Sequence, residues 1–223
     1  MNELKTRELF CEEGSSLAYS YVLGYEYPWQ ALSGIGELVL KLGKNLDENE
    51  YEMIDDGVWI GKGARVAKSA CIMKPCIIDK GAEVRHCAYI RGNAIIGKNT
   101  VVGNSCEIKN SIIFDGAQIP HYNYVGDSII GYRAHMGAGS ITSNIKSDKT
   151  RVTILKNGTK TDTGLRKMGA IIGDFAEIGC GAVLNPGSVI GRCTTVYPLS
   201  LVRGYVPRDS IYKASGETVR KDK

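Results

Sequence analysis

The sequence is poor in histidine and in large aromatics, with three His, three Phe and two Trp in 223 residues. It has no apolar run of 18 residues, which excludes a helical membrane span. The opening MNELKTRELFCEEGSS lacks the hydrophobic core of a secretory signal, so a cytoplasmic chain without a membrane partner is expected. Seven cysteines include no CxxC pair, and an odd number at irregular spacing fits reduced, buried thiols. The formal charge is only +4, too small and dispersed to argue for nucleic acid. It leaves room for a local basic pocket that takes a phosphorylated small molecule. The length suits one domain with a small appendage.

What the chain does have is glycine, 27 residues of it, and a repeat. Aliphatic residues recur at every sixth position through Ile60, Val66, Ile72, Ile78, Val84, Ile90, Ile96, Val102 and Ile108. Compact residues follow four places later, among them Ala64, Ala70, Cys76, Ala82, Ala88, Ala94, Thr100 and Cys106. After a slip of one residue the series resumes at Ile113, Ile119 and Val125, and a second slip leads to Ile130 and Met136. A further run passes through Ile172, Ile178, Leu184, Ile190, Val196 and Val202. A helix needs a period near 3.6 and a half-exposed strand a period of 2. Period six fits short strands that turn a corner after each unit, three units closing one triangular coil. The fold expected is all-β, a parallel β-helix whose coils stack about 4.8 Å apart.

Three regions depart from the repeat. Residues 1–56 form a short N-terminal extension in which Pro28 to Leu42 reads as an amphipathic helix, with Pro28 near its start and Gly43 after its end. The prism spans 57–206 and is interrupted at 143–168. There Asn157-Gly158 sits between β-prone arms and signals a hairpin that projects from the coil. This insert carries Lys149, Arg151, Lys156, Lys160, Arg166 and Lys167. Residues 207–223 read as a polar, loosely held tail.

A stacked prism turns sequence distance into position. Arg91 and Lys109, 18 apart, become vertical neighbours. An anion such as phosphate would relieve their repulsion; the alternative is two solvated side chains on an exposed face. The same arithmetic, with the one-residue slip, stacks His86, Asn104 and His121. His121 stands out because Pro120-His121-Tyr122-Asn123-Tyr124 puts bulky polar groups where the repeat wants a small one, and histidine suits a general base near neutral pH.

The segments VGNSCEIKNSII, PHYNYVGDSIIG and GAGSITSN resemble the acetyltransferase domain of glucosamine-1-phosphate acetyltransferase/N-acetylglucosamine-1-phosphate uridyltransferase. The TDTGLRKMGAIIGD stretch after the hairpin looks still more like the archaeal bifunctional sugar-1-phosphate nucleotidyltransferases, and YPWQAL resembles the linker before that domain. The resemblance covers roughly residues 58–205. It implies a left-handed coil, a homotrimer with sites between subunits, and transfer of an acetyl group from acetyl-CoA to the amine of a phosphorylated or nucleotide-linked amino sugar. His121 matches the base; Arg91, Lys109 and Tyr124 match phosphate contacts; His135 stands where the family has a sugar-contacting Asn. Lys149 and Lys167 of the insert are further candidate substrate contacts. Asn144 matches a residue near the acetyl group and Ala138 an amide facing the thioester oxygen, while Cys180, in place of a Ser, and Pro198 fall on the CoA side. Simpler roles are a corner aromatic for Tyr124 and turn-forming residues for Ala138 and Asn144. No metal is required.

Residues 1–56 are too short for a nucleotide-binding domain and hold no Gly-rich phosphate loop, so no uridyltransferase activity is expected. The competing reading is a non-catalytic sugar-nucleotide binding or regulatory protein on the same scaffold. A γ-type carbonic anhydrase would need three zinc-binding histidines, two of them close in sequence, whereas His121 and His135 are 14 apart.

Overall fold

A computed structural model describes residues 2–11 and 16–222. The chain winds into a triangular parallel β-helix from Val58 to Tyr212. Strands pair with the coil above at a register of 18, as in Cys76↔Ala94 and Ile77↔Ile95. The inward aliphatic residues, from Ile78 to Val206, are at most 1% exposed and form one continuous core with the compact corner residues. Of the cysteines, Cys76 and Cys106 are buried in that core; Cys11, Cys71, Cys87 and Cys180 are exposed, which corrects the expectation of uniformly buried thiols.

Both slips fall at one corner. There the units Ile108–Ile113 and Val125–Ile130 are a residue short, and the register becomes 17, as in Glu107↔Tyr124. Pairing steps over Asn110 and Asp127 at the shortened turn and resumes at once, so Glu107–Ile113 and Tyr124–Ile130 run as single strands around the corner and join two faces into one 14-stranded sheet. The insert opens at the same corner in the next coil, so that Ile129 pairs with Ile171.

One face is apolar on its outer side too. Trp59, Ile77, Ile95, Ile112, Ile129, Ile171 and Val189 follow the coil repeat and point outward, yet each is at most 8% exposed. They are covered by the N-terminal segment in a second hydrophobic core. The expected helix is present as a 3₁₀ turn, Pro28–Gly34, continuing into an α-helix, Ile35–Gly43. Pro28 opens it, and the Gln30 side chain accepts a bond from the Tyr27 N–H at 2.9 Å. Ile35 and Val39 face the prism.

The hairpin expected at Asn157-Gly158 forms between Thr153–Lys156 and Thr159–Asp162, with both turn residues at positive φ. Its first arm climbs along the corner and buries Val152 and Ile154 completely in the second core. Gly187, at φ +82°, leaves room for it: a Cβ there would meet the Thr153 carbonyl at 2.8 Å. The chain beyond Pro207 corrects the expectation of a loose tail. Ser210–Tyr212 continues the stack, and Thr218–Arg220 pairs with it antiparallel. At the other end Tyr51–Asp55 closes the first coil in the same way. Antiparallel caps suit a solenoid, whose open edges would otherwise template further pairing. No helix among the described residues is long and apolar enough to cross a membrane.

Candidate active site

The corner that follows the strand Gln118–His121 is built from regular six-residue units. Through the strand registers it stacks His86, Asn104, His121, Ala138, Cys180 and Pro198 in one column. Each is followed by a residue at positive φ: Cys87, Ser105, Tyr122, Gly139, Gly181 and Leu199. The turned residue donates its N–H to the column below, as Tyr122 does to Asn104 at 2.9 Å, Gly139 to His121 at 2.9 Å and Gly181 to Ala138 at 2.8 Å. Four of the expected site residues, His121, Ala138, Cys180 and Pro198, therefore share one edge, and all four are exposed.

The three histidines differ in what they touch. His86 engages Ser69 Oγ at 2.6 Å and Cys87 Sγ at 3.2 Å. His135 is paired with Glu177 at 2.9 Å, on the flank of the corner opposite to Tyr124. His121 is fixed through its backbone, its N–H donating to Asn123 Oδ1 at 3.0 Å, and its ring has no partner among the described residues. Asn123 is buried and donates to the Gly137 carbonyl at 2.8 Å, which ties the histidine turn to the coil above. The Ala138 N–H likewise makes no hydrogen bond among the described residues. A free imidazole and a free amide thus sit one coil apart on an open edge.

Tyr124 lies on the next face, three residues beyond His121. Its ring passes over Gly126, where a Cβ would collide with the phenol. Burial raises the phenol above its ordinary range, and the carboxylates of Asp127 and Glu107 push it further, while the Arg91 cation and the Asn144 side chain oppose the rise.

The shortened corner gathers Arg91, Lys109 and Asn144, but around carboxylates of the chain itself. Lys109 Nζ reaches Asp127 at 2.9 Å, and Asp127 is only 5% exposed. Asn110 Nδ2 donates to the same carboxylate at 2.9 Å, and Asn144 does so from above. Arg91 pairs with Glu107 at 2.7 Å. The repulsion between Arg91 and Lys109 is thus relieved by Glu107 and Asp127, in place of the bound anion that their spacing suggested. Asp127 and Glu107 were not apparent from the repeat; the signal was the 17-residue spacing of Asn110, Asp127 and Asn144, visible once columns are read through both slips. Lys149 and Lys167 are exposed at the two ends of the insert. Lys167 stands beside Met168, whose N–H donates to the Asn144 carbonyl at 3.0 Å.

The family described as the GMPPB C-terminal domain matches residues 72–165. Over 107 residues, 48% of this chain, the sequence is 36% identical to the bifunctional sugar-1-phosphate nucleotidylyltransferase/acetyltransferase of Sulfurisphaera tokodaii, covering 27% of that protein. Over 116 residues, 52% of this chain, it is 39% identical to the bifunctional protein GlmU of Methanococcus vannielii, covering 28% of it. The chain resembles the C-terminal domain of these bifunctional enzymes. The matched part spans little more than a quarter of their length. Among solved structures, PerB from Caulobacter crescentus, in complex with CoA and GDP-perosamine, aligns over 83% of this chain and 67% of that one at 16% identity and a TM-score of 0.29, a likeness too slight to bear on the site.

Proposed function

We propose that this protein transfers an acetyl group from acetyl-CoA to the amine of a phosphorylated or nucleotide-linked amino sugar. The observation that carries this reading is the open corner, where His121 presents an unpartnered ring one coil below the unpartnered Ala138 amide. The resemblance to proteins named for sugar-1-phosphate chemistry and acetyl transfer supports it.

In this reading the neutral amine attacks the thioester carbonyl carbon and a C–N bond forms. His121 takes the proton that the nitrogen sheds. The Ala138 N–H faces the oxyanion as it develops, a preorganised donor of a kind whose loss typically costs 10²–10³ in rate. The C–S bond then breaks, and the CoA thiolate leaves and takes up a proton. Cys180 and Pro198, stacked above Ala138, line the edge along which the pantetheine arm lies. Tyr124 and Asn144 flank the acceptor. The edge is open on a single chain, and Tyr122, Tyr197, Leu199 and Leu201 expose apolar surface along it. We therefore infer that a homotrimer completes the site between subunits.

The test is release of free thiol from acetyl-CoA in the presence of hexosamine 1-phosphates and nucleotide-linked amino sugars, with the mass of the assembly measured in parallel by light scattering. Thiol release that depends on one of these amines supports the assignment. No release with any of them, together with no binding of acetyl-CoA, rules it out in favour of a binding protein.

A further inference from the structure

Through the strand registers, the compact residues beside the histidine corner stack as Ala88, Cys106, Asn123, Ser140 and Ala182. Asn123 is the largest of these five and is 2% exposed. A buried carboxamide brings one acceptor oxygen and a two-proton donor, and either costs free energy if left unpaired. Both ends of Asn123 are paired. Its Oδ1 accepts the His121 N–H at 3.0 Å and faces the Cys106 thiol at 3.5 Å. Its Nδ2 lies 2.8 Å from the Gly137 carbonyl, 3.0 Å from Ser140 Oγ and 3.1 Å from the Ser140 carbonyl. The reverse orientation would set the oxygen against two carbonyls, so the network fixes which end is which. The oxygen serves the coil of His121, and the nitrogen serves the coil of Ala138.

The bond to Gly137 acts on the neighbouring residue through the peptide plane. A trans peptide holds its C=O and N–H antiparallel, and the Gly137 carbonyl shares its plane with the Ala138 N–H. The one cis bond among the described residues is Lys74-Pro75. Three donors reach the Gly137 carbonyl from the interior: Asn123 Nδ2, Ser140 Oγ at 2.8 Å and the Ser140 N–H at 3.1 Å. Pinned inward, the carbonyl leaves the Ala138 N–H aimed outward. At three other levels of this corner the equivalent carbonyls are those of Arg85, Gly103 and Gly179. They accept the turn amides of Ala88, Cys106 and Ala182 at 3.2, 3.3 and 3.2 Å, and no side chain donates to them among the described residues. The added side-chain donors therefore stand where the imidazole and the amide face the same edge.

We propose that Asn123 is a positioning residue of this site, its two ends fixing the His121 main chain and the outward direction of the Ala138 amide. The proposal rests on the acetyl-transfer reading and adds what sets the base and the oxyanion donor at one spacing. Asn123 is buried behind the edge, so it acts through the two residues that meet the substrate. An error of about 1 Å in such a pair can cost about 10²-fold in rate. Ser140 supports one end alone, since its hydroxyl donates to Gly137 and makes no bond to His121.

The experiment combines steady-state thiol release from acetyl-CoA with amide hydrogen exchange, read by mass spectrometry on the full chain. The variants are Asn123→Ala, Asn123→Ser and Ser140→Ala. In Asn123→Ala, kcat should fall about 10²-fold, with KM for acetyl-CoA within about twofold of the parent's. Exchange in the peptide covering 119–124 should quicken at least about tenfold as the His121 N–H loses its acceptor, with the neighbouring coils unchanged. Ser140→Ala should lower kcat less and leave exchange at 119–124 as in the parent. A kcat within about threefold of the parent's in Asn123→Ala, or a loss confined to KM, overturns the proposal. So does unchanged exchange at 119–124. Circular dichroism and melting temperatures identify misfolding; if Asn123→Ala does not fold, Asn123→Ser, a compact residue of the kind at position 140, decides by the same limits. A parent that transfers no acetyl group to any amine overturns the catalytic reading itself, and the exchange measurement then shows whether Asn123 holds the turn.

Discussion

At the histidine corner each unit keeps six residues, and the column from His86 to Pro198 stays in regular register. At the shortened corner two units lose a residue and a third is interrupted by the insert. The outcomes run against the simple idea that irregularity marks chemistry. The regular corner leaves an imidazole and an amide open to solvent. The irregular one consumes its polar groups internally, with Asp127 holding Lys109, Asn110 and Asn144. Higher on the same irregular edge, Arg203 has no ion-pair partner among the described residues. Regular stacking can therefore hold reactive groups apart and free, while a slip brings polar side chains close enough to satisfy one another.

The contrast predicts different losses at the two corners. His121→Ala should lower kcat for thiol release by about 10²–10⁴, with the melting temperature little changed because the exposed ring makes no hydrogen bond or ion pair among the described residues; activity equal to the parent's would show that the free ring is not the base. Asp127→Ala should act on stability. It strands a largely buried Lys109 ammonium, and two amides lose their acceptor, so a cost of about 3–5 kcal/mol is expected in urea unfolding. The double variant Asp127→Ala/Lys109→Met should recover much of that, since removing both charges leaves neither unpaired. A cost below about 1 kcal/mol for Asp127→Ala would place Asp127 with the loosely held surface charges and erase the difference between the corners.

These two corners also show how far the sequence could be read. The interior column was legible because every inward position must be aliphatic, so the period survives both slips. The outer column from Trp59 to Val189 was equally periodic, written as the doublets Trp59-Ile60, Ile77-Ile78, Ile95-Ile96 and Ile112-Ile113, but at one unit in three. It went unread because the six-residue series absorbs the second member of each pair. That column is what the N-terminal segment covers, and it turns a presumed appendage into half of a second core. His121 was legible from its setting, and its alignment with Ala138 and Cys180 follows from the register once the insert is subtracted. The pairing of Arg91 and Lys109 was legible only in part. Spacing brings two cations together, but which carboxylate reaches them depends on side-chain direction at a shortened turn, and a repeat count carries no such information.

The third corner, which follows Ile113 and Phe114, provides a comparison of another kind, a partly buried carboxylate held by a backbone N–H. Asp115 accepts the Lys98 N–H at 2.9 Å. Burial raises its carboxyl to about 6, with the charge of Asp79 adding to the rise and the Lys98 cation opposing it. In the unfolded chain the group titrates near 3.9, so between those values the folded state binds more protons than the unfolded one. By linkage, stability then falls as pH rises from about 4 to about 6, and the full cost persists above that range. Asp115→Asn keeps an acceptor for the Lys98 N–H and removes the charge. The variant should be more stable than the parent at pH 7–8, by about 1–2 kcal/mol once partial exposure is discounted. The advantage should shrink as pH falls through about 6 and vanish near 4. Urea midpoints at pH 4, 6 and 8 check this. A constant difference across that range would mean that the substitution acts through packing, and that the third corner, unlike the other two, has no electrostatic character of its own.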